Sequence, residues 1–148
     1  MEEIRKILVP VDFSEDSGKV LKTAAMIAGK FGAAVDVVFV VESLAAYAGF
    51  AVPHLPLADL ERDLLTRAER KMDEFLDTHT DGKIPCAGRV LSGKAAEQIV
   101  KYAGAEKCDL IVMGTRTCGA SHKALFGSVT DRVIKTAPCP VLSMNPCG

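Results

Sequence analysis

The sequence predicts an α/β protein, a doubly wound five-stranded parallel sheet with helices on both faces. Two observations lead there. Short β-branched runs alternate with long amphipathic stretches in the order β-α-β-(loop)-α-β-α-β-α-β. The strand runs are apolar at successive positions, as expected of strands covered on both faces. The right-handed crossover rule turns that order into a parallel sheet with helices on either side. No internal repeat or low-complexity tract competes with this reading.

The first strand is read over 4–12, followed by Ser14 as a helix cap with Glu15 and Asp16 in the first turn, where the helix dipole favours negative charge. That helix carries Val20, Leu21, Ala24, Ala25, Ile27 and Ala28 inward and ends over Gly29 to Gly32. A Val-rich second strand spans 34–42. From Ser43 to Leu57 the periodicity dissolves into Ala, Gly and Pro, and a loop insertion is expected because Pro53 and Pro56 interrupt any regular element. Over 58–77 Leu60, Leu64, Leu65, Ala68, Met72, Phe75 and Leu76 form a stripe opposed by Glu61, Arg62, Arg67, Arg70 and Glu74, the pattern of a helix lying on a sheet. A weaker strand over 84–91, a helix over 94–103 and a short apolar strand over 109–113 follow. A last helix steps through Leu125, Val129 and Val133, with Gly127 and Ser128 read as its opening and Ser128 as a candidate cap, and 140–144 supplies the fifth strand.

At 148 residues the chain has the length of one domain, so 1–148 is read as a single unit. With 49% hydrophobic and 25% charged residues it can bury about 68–70% of its unfolded surface, which excludes disorder as the main state. Eighteen basic against nineteen acidic side chains leave a formal charge of −1, so no global field draws the protein onto nucleic acid or an anionic membrane. The acidic Met1-Glu2-Glu3 start and the short run Val37 to Val41 fit neither a signal peptide nor a membrane span, and a cytoplasmic protein is expected. Five cysteines without a CxxC argue against a disulfide framework and for free thiols.

In a doubly wound sheet, ligands bind beyond the carboxyl ends of the strands, near the point where strand order reverses. Attention falls on Asp12, Val41-Glu42, Ser92-Gly93 and the segment from Gly114. Neither a GxGxxG fingerprint nor a GxxxxGK[ST] loop is present. Glycines instead follow the fourth strand, at Gly114, Gly119 and Gly127, and Gly127, Ser128 and Thr130 suit a phosphate cradle at a helix start. The plainer alternative is that Gly127 allows a bend. Cys118 and His122, spaced i,i+4, are too few for a closed metal site, though Cys118 raises a thiol-sensor reading; His54 and His79 read as ordinary surface residues.

The frames Ile7-Leu8-Val9-Pro10-Val11-Asp12-Phe13-Ser14, Asp109 to Gly114, Gly127 to Thr130 and Ala137 to Leu142 resemble the universal stress protein family, in the correct order and over essentially the whole chain. The resemblance implies strand order 3-2-1-4-5, an adenine nucleotide α-hydrolase-like arrangement and, in one branch, an ATP site marked by Gly, two residues, Gly, nine residues, then Gly followed by Ser or Thr. Carried over, it implies a cofactor-binding set of Pro10, Val11, Asp12, Val40, Met113, Gly114, Arg116, Thr117, Gly127, Ser128, Val129 and Thr130. In this set Asp12 and the Val40 backbone lie near adenosine, and Gly127 to Thr130 hold phosphates and ribose. The implied ligand is ATP or AMP, with or without magnesium. Thr117 stands where the second glycine of the pattern falls, and a β-branched residue resists positive φ. The alternative function is therefore a family member that binds no nucleotide and acts through protein contacts, with loop 43–57 a candidate surface. No motif orients an attacking water, so any ATP hydrolysis is expected to be slow. The resemblance also implies a homodimer through the uncharged edge strand Val141–Met144, with Val141/Ser143 and Leu142/Met144 on alternate faces.

Overall fold

The computed structural model describes residues 3–42, 57–115 and 125–147. Its elements are β1 (Lys6–Pro10), α1 (Glu15–Phe31), β2 (Ala34–Val41), α2 (Leu57–His79), β3 (Cys86–Ser92), α3 (Ala95–Ala105), β4 (Leu110–Gly114), α4 (Leu125–Thr136) and β5 (Val141–Met144). All strand pairs are parallel, as the alternation of elements predicts, and the order is β3-β2-β1-β4-β5, as the family resemblance implies. Loop 43–57, apart from its last residue, lies outside the described residues.

Local signals explain where the helices stop and start. The Ser14 side chain accepts from the Ser17 N–H at 3.2 Å, and Glu15 and Asp16 occupy the first turn of α1. Gly32 closes that helix at φ 67°, a left-handed C-cap that residues with a Cβ resist. Helix α4 begins at Leu125, so Gly127 and Ser128 lie inside its first turn, and Ser128 is not the cap. The sequence placed the opening at the glycine because a glycine reads as a break; within a first turn it is accommodated.

The sheet divides the core in two. Ile7, Val9, Val35, Val37 and Val112 point to α1 and α2, where they meet Leu21, Ala24, Met72 and Phe75. Leu8, Val38, Ile111 and Met113 point to α3 and α4, where they meet Ile99, Ala103 and Val133. Both clusters are centred on side chains shut off from solvent, and each fully buried aliphatic side chain contributes about 1.5–3 kcal/mol. Gly88 in β3 lets α2 come close, since a Cβ there would collide with Met72 Cγ and lie 2.9 Å from Leu76 Cδ1. Asp36, 7% exposed on β2, accepts from the Tyr102 hydroxyl at 2.9 Å and lies 3.7 Å from Lys6 Nζ. Burial and that hydrogen bond push the Tyr102 hydroxyl pKa upward.

At the far edge, β5 is partly exposed. Its two middle residues are the exposed ones, so the alternation expected between Val141/Ser143 and Leu142/Met144 does not hold. Cys86, Cys108 and Cys139 are free thiols, as expected; Cys147 is disulfide-bonded. An odd number of cysteines forbids complete pairing only, so the count could not exclude one bridge. Among the described residues, no helix is long and apolar enough to cross a membrane.

Candidate functional site

Strand order reverses between β1, whose chain continues to β2, and β4, whose chain continues to β5. The ladder pairs Pro10 with Val38 and Leu8 with Ile111. Continued, the same register sets Asp12 beside Val40 and Val11 beside Gly114. One end of the sheet thus gathers the sequence-predicted residues of three adjacent strands. Pro10 and Val11 are buried, and the Val11 N–H donates to the Val38 carbonyl at 2.9 Å. Met113 is fully buried in the core, leaving its backbone as the part that reaches the site.

Asp12 is the most engaged of these residues. Its Oδ1 accepts from the Ser14 N–H at 3.0 Å, from the Ser14 hydroxyl, and from the Ser17 hydroxyl at 2.6 Å, while the Asp12 N–H donates to Ser17 Oγ at 2.9 Å. The carboxylate therefore organises the entry to α1. Phe13, next in the chain, has φ 66°, a conformation that costs a bulky residue about 1–3 kcal/mol and persists only where packing holds it. Its ring stacks on Phe39, with centroids 4.3 Å apart and planes at 25°, and Phe75 closes the cluster at 5.8 Å.

Backbone groups at the end of β2 are arranged differently. Even-numbered residues of β2 face β1: the Ala34 N–H donates to the Arg5 carbonyl, and the Val38 carbonyl receives the Val11 N–H. Odd-numbered residues face β3, as the Gly93 N–H to Val41 carbonyl bond shows. Val40 therefore turns its N–H and C=O toward β1 just where that chain has left the sheet, and the pairing ends at Val38. Among the described residues neither group has a backbone partner.

On the β4 side, Thr130 is 3% exposed and donates its hydroxyl proton to the Gly114 carbonyl at 2.7 Å. That bond ties the opening turns of α4 to the end of β4; toward a ligand, Thr130 retains only its oxygen lone pairs. Val129 packs into the α3/α4 core, Gly127 is half-buried and Ser128 is exposed. Arg116 and Thr117, with Cys118, His122, Lys123 and His54, lie outside the described residues.

A cavity of about 450 Å³ opens beside this strand end, lined by Asp12, Phe13, Phe39, Val40, Val41 and Glu42 and by Leu64, Arg67, Ala68 and Lys71 of α2. Sequence reasoning missed it. The α2 residues are spaced i, i+3, i+4 and i+7, so one helical face was legible, but Arg67 was read as belonging to the opposite, solvent face. The positive φ that turns Phe13 into the wall leaves no mark in the sequence. A second cavity, of about 390 Å³, lies between α1 and the end of α2, beside Gly18, Lys22, His79 and Cys86. The His79 ring rests against Phe75, 4.6 Å away.

None of the free thiols among the described residues is activated. Burial pushes Cys108 up to about 12 and, aided by Asp81 and Asp109 respectively, raises Cys86 and Cys139. Among the described residues, no three His, Cys, Asp or Glu side chains cluster as metal ligands would.

The model of the universal stress protein family matches residues 3–144. The chain belongs to the universal stress protein family. Universal stress protein MJ0531 of Methanocaldococcus jannaschii is 34% identical over 144 residues, covering 93% of this chain and 80% of the relative. Among solved structures, that of MJ0577 superposes with a TM-score of 0.76 at 29% identity, covering 95% of both chains. The universal stress protein from Archaeoglobus fulgidus in complex with dAMP superposes with a TM-score of 0.66 at 23% identity, covering 97% of this chain and 98% of the other. That likeness shows the fold.

Proposed function

We propose that the protein is a cytoplasmic, adenine-nucleotide-binding module of the stress response, with AMP or ATP as ligand, acting by occupancy rather than by fast turnover. The observation that carries this reading is the Val40 amide and carbonyl, turned toward β1 without a backbone partner beside Asp12. A backbone donor and acceptor side by side match the adjacent acceptor and amino donor on an adenine edge. Ribose then falls toward Asp12, and phosphates toward Gly114 and the first turn of α4, where the positive end of the helix dipole favours anions. Gly127 within that turn leaves room for close approach. The dAMP complex of the Archaeoglobus fulgidus neighbour is consistent with this ligand class.

If magnesium accompanies ATP, Asp12 is the carboxylate placed to meet it, with phosphate oxygens and water completing the shell as that ion prefers. ATP turnover at such a site is slow, because Asp12 is already occupied at the α1 entry and Glu42 is directed at the start of α3, with Oε1 3.4 Å from the Ala95 N–H. We also propose a homodimer through β5, whose outer edge has no neighbouring strand among the described residues and whose Leu142 is 39% exposed. Leu142→Glu would then yield a monomer in light scattering, and a monomeric wild-type protein refutes the dimer.

The second reading, a family member acting through protein contacts, has in its favour the structural bonds that already occupy Asp12 and Thr130. Mass spectrometry of nucleotide released from the denatured protein separates the two, together with calorimetric titration of the native protein and Thr117→Gly with AMP and ATP. Absence of binding in both proteins sinks the nucleotide reading.

A further inference from the structure

The cavity beside α2 lies on the other side of the sheet from the residues that would receive phosphate. Its walls Phe13 and Phe39 pack with the α1/α2 core, whereas Met113, Val129 and Thr130 belong with α3 and α4. Six of its ten lining residues are apolar: Phe13, Phe39, Val40, Val41, Leu64 and Ala68. At about 450 Å³ it has the size and the largely apolar character of a small-molecule site. Its rim carries two acids and two bases, but they are not equivalent. Asp12 is turned to Ser14 and Ser17 at the start of α1, and Glu42 to the Ala95 N–H at the start of α3. Arg67 is held by Asp63 at 3.1 Å. Lys71 alone of the four makes no hydrogen bond or ion pair with a described residue. The cavity is therefore an apolar chamber whose uncommitted charge is one lysine ammonium.

We infer that this cavity binds a free amphipathic monocarboxylate of medium chain length, its alkyl body against Phe13, Phe39, Leu64 and Ala68 and its carboxylate at Lys71. The apolar body supplies affinity through burial, and the single cation selects an anionic head over a neutral one. Phe13 contributes through its positive φ, which fixes the ring in the wall before a ligand arrives and so lowers the ordering cost of binding. The inference does not rest on the nucleotide reading, although the two share Asp12 and Val40, which line this cavity and which that reading sets beside adenosine.

The test is calorimetric titration of the full chain with decanoate, with decanol as the neutral control. Saturable one-to-one binding of decanoate is expected, with decanol weaker by about fivefold, the worth of one partly exposed ion pair. Lys71→Glu, on the exposed face of α2, should lower decanoate affinity about tenfold and leave decanol unchanged, while Lys71→Arg retains decanoate binding. Ala68→Phe fills the chamber and should abolish both; its thermal unfolding is compared with wild type, and the lysine pair decides the matter if this variant does not fold. Equal affinity for decanoate and decanol, indifference to Lys71→Glu, or no binding at all overturns the inference. So does a loss of AMP affinity in Lys71→Glu as large as the loss for decanoate, which would make the cavity the adenosine pocket. Decanoate binding with no AMP binding would instead sink the nucleotide reading and leave this one standing.

Discussion

Replacing Asp12 by alanine removes one oxygen that accepts three hydrogen bonds where β1 enters α1. The Ser17 hydroxyl, on a residue 3% exposed, then has a buried donor without its acceptor, which costs about 1–3 kcal/mol. Loss of negative charge at the start of α1 adds about 0.3–1 kcal/mol. Ser14 is more exposed and recovers its bonds from water, so the total is about 1.3–4 kcal/mol. For a domain near 150 residues, each kcal/mol moves the melting temperature by about 4 °C, giving a fall of about 5–16 °C in calorimetry. Asp12→Asn keeps an oxygen acceptor but makes neutral hydrogen bonds in place of charge-assisted ones, and should lose only about 1 kcal/mol. The pair of variants separates the two roles of this residue. Under the proposed function, Asp12→Asn, well folded, should still bind AMP more weakly than wild type. An Asp12→Ala protein melting within about 2 °C of wild type would refute the assignment of Asp12 as the organiser of the α1 entry.

Three further expectations follow from the same geometry. Thr130→Val keeps the shape but leaves the buried Gly114 carbonyl without its 2.7 Å donor, and should destabilise by about 1–3 kcal/mol in urea unfolding; no change would mean that the carbonyl has another partner. Gly88→Ala drives a methyl into Met72 and Leu76 and should lose about 1–3 kcal/mol, toward the lower end if the flexible methionine yields, again measured by denaturant midpoint. Cys108 stays protonated in the folded state up to about 12, whereas an ordinary thiol titrates near 9.0. Below pH 9 both states hold the proton and this group confers no pH dependence. Between 9 and 12 only the unfolded chain releases it, so stability falls as pH rises, by at most about 1.4 kcal/mol per pH unit. Tyr102, shifted in the same direction, adds to the loss at the alkaline end. Cys108→Ala should flatten the urea midpoint against pH over this window; an unchanged slope contradicts the assignment.

Much of the architecture was legible because parallel sheets leave a coarse signature. Val9, Val37 and Val112 face one layer of helices and Leu8, Val38 and Ile111 the other, so strands such as Val37 to Val41 read as unbroken apolar runs. Ser14 and Gly32 fixed both ends of α1 through cap chemistry that depends only on neighbouring residues. Leu125 was read onto α4 and lies there, but Ser128 was also offered as its cap, because a first-turn serine and a capping serine look alike in sequence. Asp12 was singled out as a ligand contact, whereas its three acceptor bonds at the entry to α1 became visible only when the turn brought Ser14 and Ser17 to it.

The sequence by itself determined the layers, the parallel sheet and the strand end at which the candidate residues collect, since these follow from periodicity and crossover handedness. Tertiary structure decided what those residues are free to do. Register continued past Val38 shows that Val40 turns its backbone toward a strand that has already departed. Packing swings Phe13 to a positive φ and sets it, with Phe39, opposite one face of α2 to enclose the cavity. Neither arrangement has a local cause. Each depends on residues far apart in the chain meeting at one edge of the sheet, and the spacing of a sequence does not record which partners a backbone group or a side chain will find there.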